Sequence, residues 1–127
     1  MPAVPKIGFE IVDVTSLANL LLIAMEAPQA AGNRYIAAAG YLTFKEIAQL
    51  LKQKYPERKI STRELPNIIA RFLSIFETSL KPILLELGVT RNLKIDKAVK
   101  ELQWRPVPAK DAVVACAESV IEQGIVK

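Results

Sequence analysis

The sequence predicts an α+β fold in which helices dominate and strands are short. Apolar residues recur at helical spacing in several separate stretches. Prolines, glycines and helix-capping residues separate these stretches. The segments typical of strands are only five to seven residues long. A length of 127 residues is typical of one domain. We therefore expect a single domain over residues 1–127, with five or six helices and short two-stranded sheets.

The amino-terminal part predicts a strand over residues 7–13 and then a helix to about Met25. Asp13 or Thr15 can cap this helix. The spacing of its apolar residues predicts an inward face made of Leu17, Leu20, Leu21 and Ala24. Leu22 and Ile23 widen that apolar face. This helix is expected to be covered on more than one side and to end before Pro28.

The next stretch reads as strand, helix and strand. Residues 34–39 and 59–63 are the predicted strands. Between them Thr43 and Glu46 form a capping box for a helix to about Lys54, with Phe44, Ile47, Ala48 and Leu51 facing inward. This order predicts a crossover with residues 34–39 and 59–63 paired in parallel. Residues 7–13 are then expected to pair with residues 89–94.

Three helices are predicted in the second half besides the one discussed below. The first spans residues 66–76 and begins with a proline. The second spans residues 80–87 and is expected to end at Gly88 in a left-handed conformation. The third runs from Ala109 to Gln123 and ends at Gly124. The spacing of Cys116 within this last helix predicts that its side chain is buried.

Residues 92–106 form the most informative stretch. Asp96 is expected to cap a short helix whose apolar face carries Ile95, Ala98, Val99 and Leu102. Trp104 follows the helix and can lay its indole on that face. Pro106 prevents the helix from resuming.

Composition excludes several classes of function. The chain has no histidine and a single cysteine, which rules out Ser-His and Cys-His catalysis, multi-cysteine zinc sites and an intrachain disulfide. The net charge of +4 is spread along the chain, which argues against nucleic-acid binding. The most apolar stretch, residues 17–25, is too short to cross a bilayer, and the residues before it do not have the basic-then-apolar pattern expected of a signal peptide. We expect a cytoplasmic protein with no metal site.

Residues 92–106, together with residues 7–28 and 33–40, resemble the carboxyl-terminal substrate domain of the extended short-chain dehydrogenases/reductases. The resemblance is strongest to the aldehyde-reductase, dihydroflavonol-reductase-like branch of the NAD-dependent epimerase/dehydratase family. Residues 12–14 are similar to the family's Val-Asp-Val-Arg-Asp-Val-Ala turn, but Thr15 and Ser16 replace Arg and Asp. Capping the helix and holding the neighbouring loop are then expected to fall to Asp13, Thr15 and Ser16.

The resemblance implies a parent enzyme that uses NAD or NADP to reduce an aldehyde or ketone. This chain lacks the Rossmann half, because its five glycines are isolated and cannot form a dinucleotide fingerprint. Two Tyr-x-x-x-Lys matches, Tyr41/Lys45 and Tyr55/Lys59, fall across predicted element boundaries and cannot hold one-turn geometry. We expect neither a catalytic nor a cofactor-binding residue here, and no activity from the chain alone.

The variable part of such domains shapes the substrate pocket. The candidate pocket residues are Ile68, Phe72, Phe76 and Arg91. The Arg-x-Gly-Asp sequence that nucleotide-sugar epimerases use is absent, which favours a small carbonyl substrate. A sugar-nucleotide epimerase or dehydratase fragment, and a stand-alone binding module without catalysis, remain open. Exposed apolar surface is expected to bind the missing Rossmann half or a second copy, giving a homo-oligomer.

Overall fold

The computed structural model describes residues 3–69 and 85–126. Within these ranges the chain forms two strands, four α-helices and one 3-10 helix: β1 (Gly8–Ile11), α1 (Val14–Glu26), the 3-10 helix (Pro28–Ala30), β2 (Gly40–Thr43), α2 (Phe44–Lys54), α3 (Asp96–Leu102) and α4 (Ala109–Glu122). The predicted helix-rich α+β class is confirmed.

The two strands form an antiparallel pair, β1 with β2. Two backbone hydrogen bonds at the ends of the pair show its direction: Ala39 N–H donates to the Ile11 carbonyl at 2.6 Å, and Phe44 N–H donates to the Ile7 carbonyl at 2.8 Å. The predicted strand pairings are therefore wrong. Residues 34–39, 59–63 and 89–94 form no strands, so neither the parallel crossover nor the pairing of residues 7–13 with 89–94 exists.

These segments are held by other contacts. Tyr35 and Ala37 pack on a buried apolar cluster, so residues 34–39 are fixed by side chains rather than by a strand ladder. Beyond residues 59–63, Glu64 makes an isolated parallel bridge with Val4. Near residues 89–94, Leu93 N–H donates to the Glu10 carboxylate at 2.9 Å. Isolated contacts of this kind, unlike a strand ladder, leave no spacing pattern in the sequence.

The chain divides into two compact units. The first contains Met1–Phe9 and Leu42–Arg91, and the second contains Glu10–Tyr41 and Asn92–Lys127. Among the described residues of the first unit, the buried apolar side chains are Val4, Ile7, Leu42 and Ala48. In the second they include the cluster Leu20, Ala98, Leu102 and Trp104.

Helix α1 begins where the sequence predicts. The Asp13 carboxylate accepts hydrogen bonds from the N–H groups of Thr15 and Ser16, at 2.9 and 3.1 Å, and so caps the helix. Leu20 is buried as expected. Leu21 was expected to face inward but is 58% exposed, because the buried side of α1 runs through Ser16 and Leu20 instead.

Helix α2 is capped as predicted. The Thr43 side chain accepts from Glu46 N–H at 3.2 Å, and the Glu46 carboxylate accepts from Thr43 N–H at 2.8 Å. On the predicted inward face Ala48 is buried, and Phe44, Ile47 and Leu51 are half-buried.

Helix α3 forms as predicted and Trp104 packs on its apolar face, with two corrections. Ile95, not Asp96, is the N-cap, and no side chain caps the helix. Asp96 lies in the first turn, where its negative charge interacts favourably with the positive amino-terminal end of the helix dipole. Val99 is 38% exposed, whereas Ala98 and Leu102 are buried.

Helix α4 ends near Gly124, which has the predicted positive φ of 66°. Its buried residues are Ala109 and Ala112. The prediction for Cys116 is wrong because only the first turn of α4 enters the core, and the Cys116 thiol is exposed. The predicted helices 66–76 and 80–87 lie largely outside the described residues; residues 67–69 and 85–86 are helical.

Candidate functional site

The candidate pocket residues Ile68 and Arg91 belong to the same unit. Ile68 lies in the helical residues 67–69 and is 70% exposed. Gly88 lies beside this turn, since a Cβ on Gly88 would be 3.9 Å from the Asn67 side-chain nitrogen. The structure therefore brings residues 67–69 towards the loop of residues 86–91, which we call the Arg91 loop. Phe72 and Phe76 lie outside the described residues.

The Arg91 loop has its own contacts. The Arg91 guanidinium forms an ion pair and hydrogen bond with the Glu86 carboxylate. Gly88 has φ 76°, as predicted for a helix end, and its N–H donates to the Lys6 carbonyl at 3.0 Å. Because Glu86 already neutralises Arg91, an anionic group would have to compete with that carboxylate.

Trp104 and the residues around it are held in the second unit by burial and by hydrogen bonds to Ser16. Trp104 is fully buried, and its indole N–H donates to the Ser16 carbonyl at 2.8 Å. The Ser16 hydroxyl accepts from Val107 N–H at 3.0 Å. Ser16 thus fastens α1 to residues 103–107, which we call the Trp104 segment. The expected role in holding a neighbouring loop falls to Ser16, while Asp13 provides the cap.

Gln103 directs the chain back onto α3. It has φ 52° in the left-handed region, which is uncommon for a residue other than glycine. Trp104 N–H then lies 3.5 Å from the Ala98 carbonyl, as in a helix C-cap. Sequence reasoning missed this residue because glutamine has no preference for that conformation.

A polar cluster near Tyr35 was also missed. The Tyr35 hydroxyl donates to the Glu101 carboxylate at 2.8 Å. The Lys97 ammonium lies 5.0 Å from the Tyr35 ring centroid and donates to the Asn33 side-chain oxygen at 2.8 Å. The hydrogen bond to Glu101 raises the pKa of Tyr35, with smaller contributions from burial and from the Glu101 charge.

Tyr35 and Lys97 differ from a catalytic pair of tyrosine and lysine in the pKa of the tyrosine. A tyrosine that takes a proton in a reaction needs a lowered pKa. Tyr35 has the opposite shift, because the carboxylate that accepts its hydrogen bond stabilises the neutral phenol. The cluster therefore serves to join residues 33–35 to α3. Tyr35 and Glu101 are 66 residues apart in the sequence, so no local sequence pattern signals the contact between them.

The two rejected Tyr-x-x-x-Lys matches fall as expected in different elements. Tyr41 lies in β2 and Lys45 in the first turn of α2, where Lys45 forms an ion pair with Glu64 at 3.5 Å. Tyr55 is the C-cap of α2, and Lys59 lies beyond it outside any helix. Neither pair is placed one helical turn apart.

Within residues 3–69 and 85–126, no group of three histidine, cysteine, aspartate or glutamate side chains is arranged to hold a metal ion. In the same ranges no helix is both long enough and apolar enough to span a bilayer.

Comparison with known proteins gives the fold. No protein-family model matches the sequence, and no curated protein matches it. Among solved structures the chain is similar to one described as the crystal structure of gox2253, with a TM-score of 0.72 and 23% identity. The match covers 100% of this chain and 41% of that chain. The chain therefore spans about two fifths of the length of a structure whose fold it shares.

Proposed function

We propose that this chain is the substrate-binding portion of an NAD(P)-dependent oxidoreductase that reduces an aldehyde or ketone, and that it is inactive alone. The sequence resemblance to the extended reductases carries the proposal. The structural match, in which the whole chain corresponds to 41% of a longer chain, supports the idea that the chain is one part of a larger protein. A fold that occurs as part of a larger protein agrees with the sequence resemblance to one half of an extended reductase.

The arrangement around Trp104 supports the same proposal. Residues 92–106 and residues 7–28 both contribute to the resemblance. These two distant stretches meet through Ser16, whose carbonyl and hydroxyl accept hydrogen bonds from Trp104 and Val107. The motifs are therefore parts of one local structure, as expected if they belong to one family pattern.

In the proposed parent enzyme, a Rossmann half would bind NAD or NADP and supply the hydride. The present chain would hold the carbonyl substrate, with Ile68 providing apolar contact and Arg91 meeting a polar or anionic substituent. Excluding water from the carbonyl is the further task of such a domain. We place the protein in the cytoplasm, with the Rossmann half as its partner.

The first test uses the chain alone. Titration with NAD(H) and NADP(H), followed by assays with a panel of aldehydes and ketones, should give neither saturable binding nor oxidation of the reduced cofactor. Saturable binding at micromolar cofactor would contradict the proposal. So would turnover that is lost in Tyr41→Phe or Tyr55→Phe.

The second test uses the reading frame immediately upstream. A glycine-rich fingerprint and a Tyr-x-x-x-Lys one helical turn apart are expected there. The longer protein should then reduce carbonyl substrates. Ile68→Ser should raise KM several-fold for an apolar aldehyde, since it removes apolar contact with the bound substrate, whereas Ile125→Ser should leave it unchanged. Ile125 is a matched control because it is 67% exposed, close to the 70% of Ile68.

The alternative function is a stand-alone interaction module. It is favoured by the apolar residues that α1 leaves exposed, including Leu21, Leu22 and Met25. An upstream frame without a nucleotide fingerprint, together with no cofactor binding, would favour that alternative over the reductase.

A further inference from the structure

The Arg91 loop and the turn beside it carry a balanced pair of charges. Residues 67–69 and 85–91 together contain only two charged side chains, Glu86 and Arg91. Nη2 of the Arg91 guanidinium donates to Oε1 of the Glu86 carboxylate. The net charge of these residues is therefore zero, although Arg91 taken alone would make it positive.

The backbone of the loop holds Glu86 near Arg91. Val89 N–H donates to the Glu86 carbonyl at 3.2 Å, which closes a turn directly after Glu86. Gly88 N–H donates to the Lys6 carbonyl at 3.0 Å, which fastens this turn to the amino-terminal segment of the same unit. The two charges thus meet because the loop turns back on itself, and the position of the carboxylate is fixed by the fold of the loop.

The surroundings of the ion pair are apolar and open to solvent. Large apolar side chains lie next in sequence to both partners of the approach between Gly88 and Asn67 or close by. We call these side chains the apolar rim: Ile68, Ile69, Leu85 and Val89. Each of them is between 43% and 82% exposed. A small molecule bound beside Arg91 would therefore meet apolar surface as well as the ion pair.

The ion pair leaves Arg91 able to donate hydrogen bonds but unable to neutralise a second anion. A guanidinium carries several N–H donors, and the hydrogen bond to Glu86 uses one at Nη2. Other N–H groups can donate to an uncharged oxygen of a hydroxyl, ether or carbonyl group. A carboxylate at the same place would lie beside the Glu86 carboxylate, and like charges repel each other.

We propose that Glu86 sets the charge of the substrate: by pairing with Arg91, it makes the site select uncharged carbonyl compounds over those that carry a carboxylate. This inference rests on the proposed function and narrows it, since Arg91 alone could meet either a polar or an anionic substituent. Glu86 is a positioning residue here, because it acts through Arg91 and not on the reacting carbonyl group.

Two aldehydes of equal chain length test the proposal in the longer protein. Hexanal ends in a methyl group and 6-oxohexanoate ends in a carboxylate. The wild-type protein should have the higher kcat/KM for hexanal. Glu86→Gln should lower KM for 6-oxohexanoate about three- to fivefold, the effect expected of one exposed charge pair. A merely structural defect would instead lower kcat/KM for both aldehydes. If the protein prefers ketones, hexan-2-one and 5-oxohexanoate form the corresponding pair.

Glu64→Gln is the matched control. Glu64 is a carboxylate of the same unit and also forms an exposed ion pair, with Lys45 at 3.5 Å. This substitution changes the net charge by the same amount as Glu86→Gln, but it should leave the preference between the two aldehydes unchanged.

Two further measurements show whether Glu86 acts through Arg91. Adding Arg91→Gln to Glu86→Gln should abolish the gain for 6-oxohexanoate, because the guanidinium that the first substitution releases is then absent. The gain in Glu86→Gln should also shrink as the ionic strength rises, since salt screens exposed charges.

Several results would overturn the proposal. A wild-type preference for 6-oxohexanoate is one, and an unchanged preference in Glu86→Gln is another. An equal gain in Glu64→Gln would assign the effect to net charge and not to the loop. If the longer protein reduces hexanal but gives one of these results, the substrate class is wrong and the proposed function stands. If it reduces no aldehyde or ketone, the proposed function and the substrate class both fail.

Discussion

The Trp104 segment and the Arg91 loop differ in how they are held. Trp104 is fully buried, and the two hydrogen bonds at Ser16 fix the segment against α1. In the Arg91 loop the ion pair with Glu86 is solvent-exposed, and the neighbouring Ile68 is 70% exposed. The first region stabilises the fold, and the second leaves side chains available for binding. Substitutions in the two regions should therefore have different consequences.

The largest effect is expected for Trp104→Ala. Removing a buried tryptophan should lower the free energy of unfolding by about 3–5 kcal/mol, since it leaves a cavity among Leu20, Ala98 and Leu102. Urea denaturation followed by circular dichroism measures this. Trp104→Phe should cost less, because it retains part of the ring and loses the hydrogen bond. Equal losses in the two variants would contradict the importance of packing in this segment.

A smaller loss is expected for Ser16→Ala. The substitution removes the hydroxyl that accepts from Val107 N–H, and it should cost about 1 kcal/mol in unfolding free energy. Thr15→Ala is the matched control, because Thr15 is the neighbouring hydroxyl residue and is exposed. If both variants lose the same stability in urea, the hydroxyl of Ser16 does not fasten the segment.

The cluster beside α3 predicts a pH effect. The pKa of Tyr35 is raised by the hydrogen bond to Glu101, so the neutral phenol is favoured in the folded state. Its contribution to stability is complete below the ordinary tyrosine pKa of about 10 and is lost as the pH rises through the folded value. Ultraviolet titration of the tyrosines should show one that ionises late. Glu101→Gln should move that ionisation to lower pH, and an unchanged titration would contradict the assignment.

The smallest effect is expected in the Arg91 loop. Arg91→Gln should change the free energy of unfolding by less than about 0.5 kcal/mol, because an exposed ion pair contributes little. Glu86→Gln is the reciprocal variant and should behave alike. A loss above 1 kcal/mol in either variant would show that the loop stabilises the fold, and the contrast with the Trp104 segment would fail.

Features set by neighbouring residues could be predicted from the sequence. Asp13 and Thr43 cap their helices through N–H groups two or three residues away, so a short pattern suffices. Trp104 follows α3 directly, and its packing on Ala98 and Leu102 could be expected from spacing alone.

Features that depend on distant residues could not be predicted. The pairing of β1 with β2 is decided by which segments meet in space, and short strands carry too little pattern to specify a partner. The link between Ser16 and Val107 spans 91 residues, so nothing near Ser16 signals it. In the candidate site, the approach of Gly88 to Asn67 also joins residues that are distant in sequence, so it could not be predicted either.

The burial of Trp104 has a spectroscopic consequence. It is the only tryptophan in the chain and lies in the second unit. Its emission should be blue-shifted when that unit is folded and should move to longer wavelength when water reaches the indole. Circular dichroism reports the helices of both units, including α2 of the first. If the two signals change at different urea concentrations, the units unfold separately; coincident transitions would show one cooperative system.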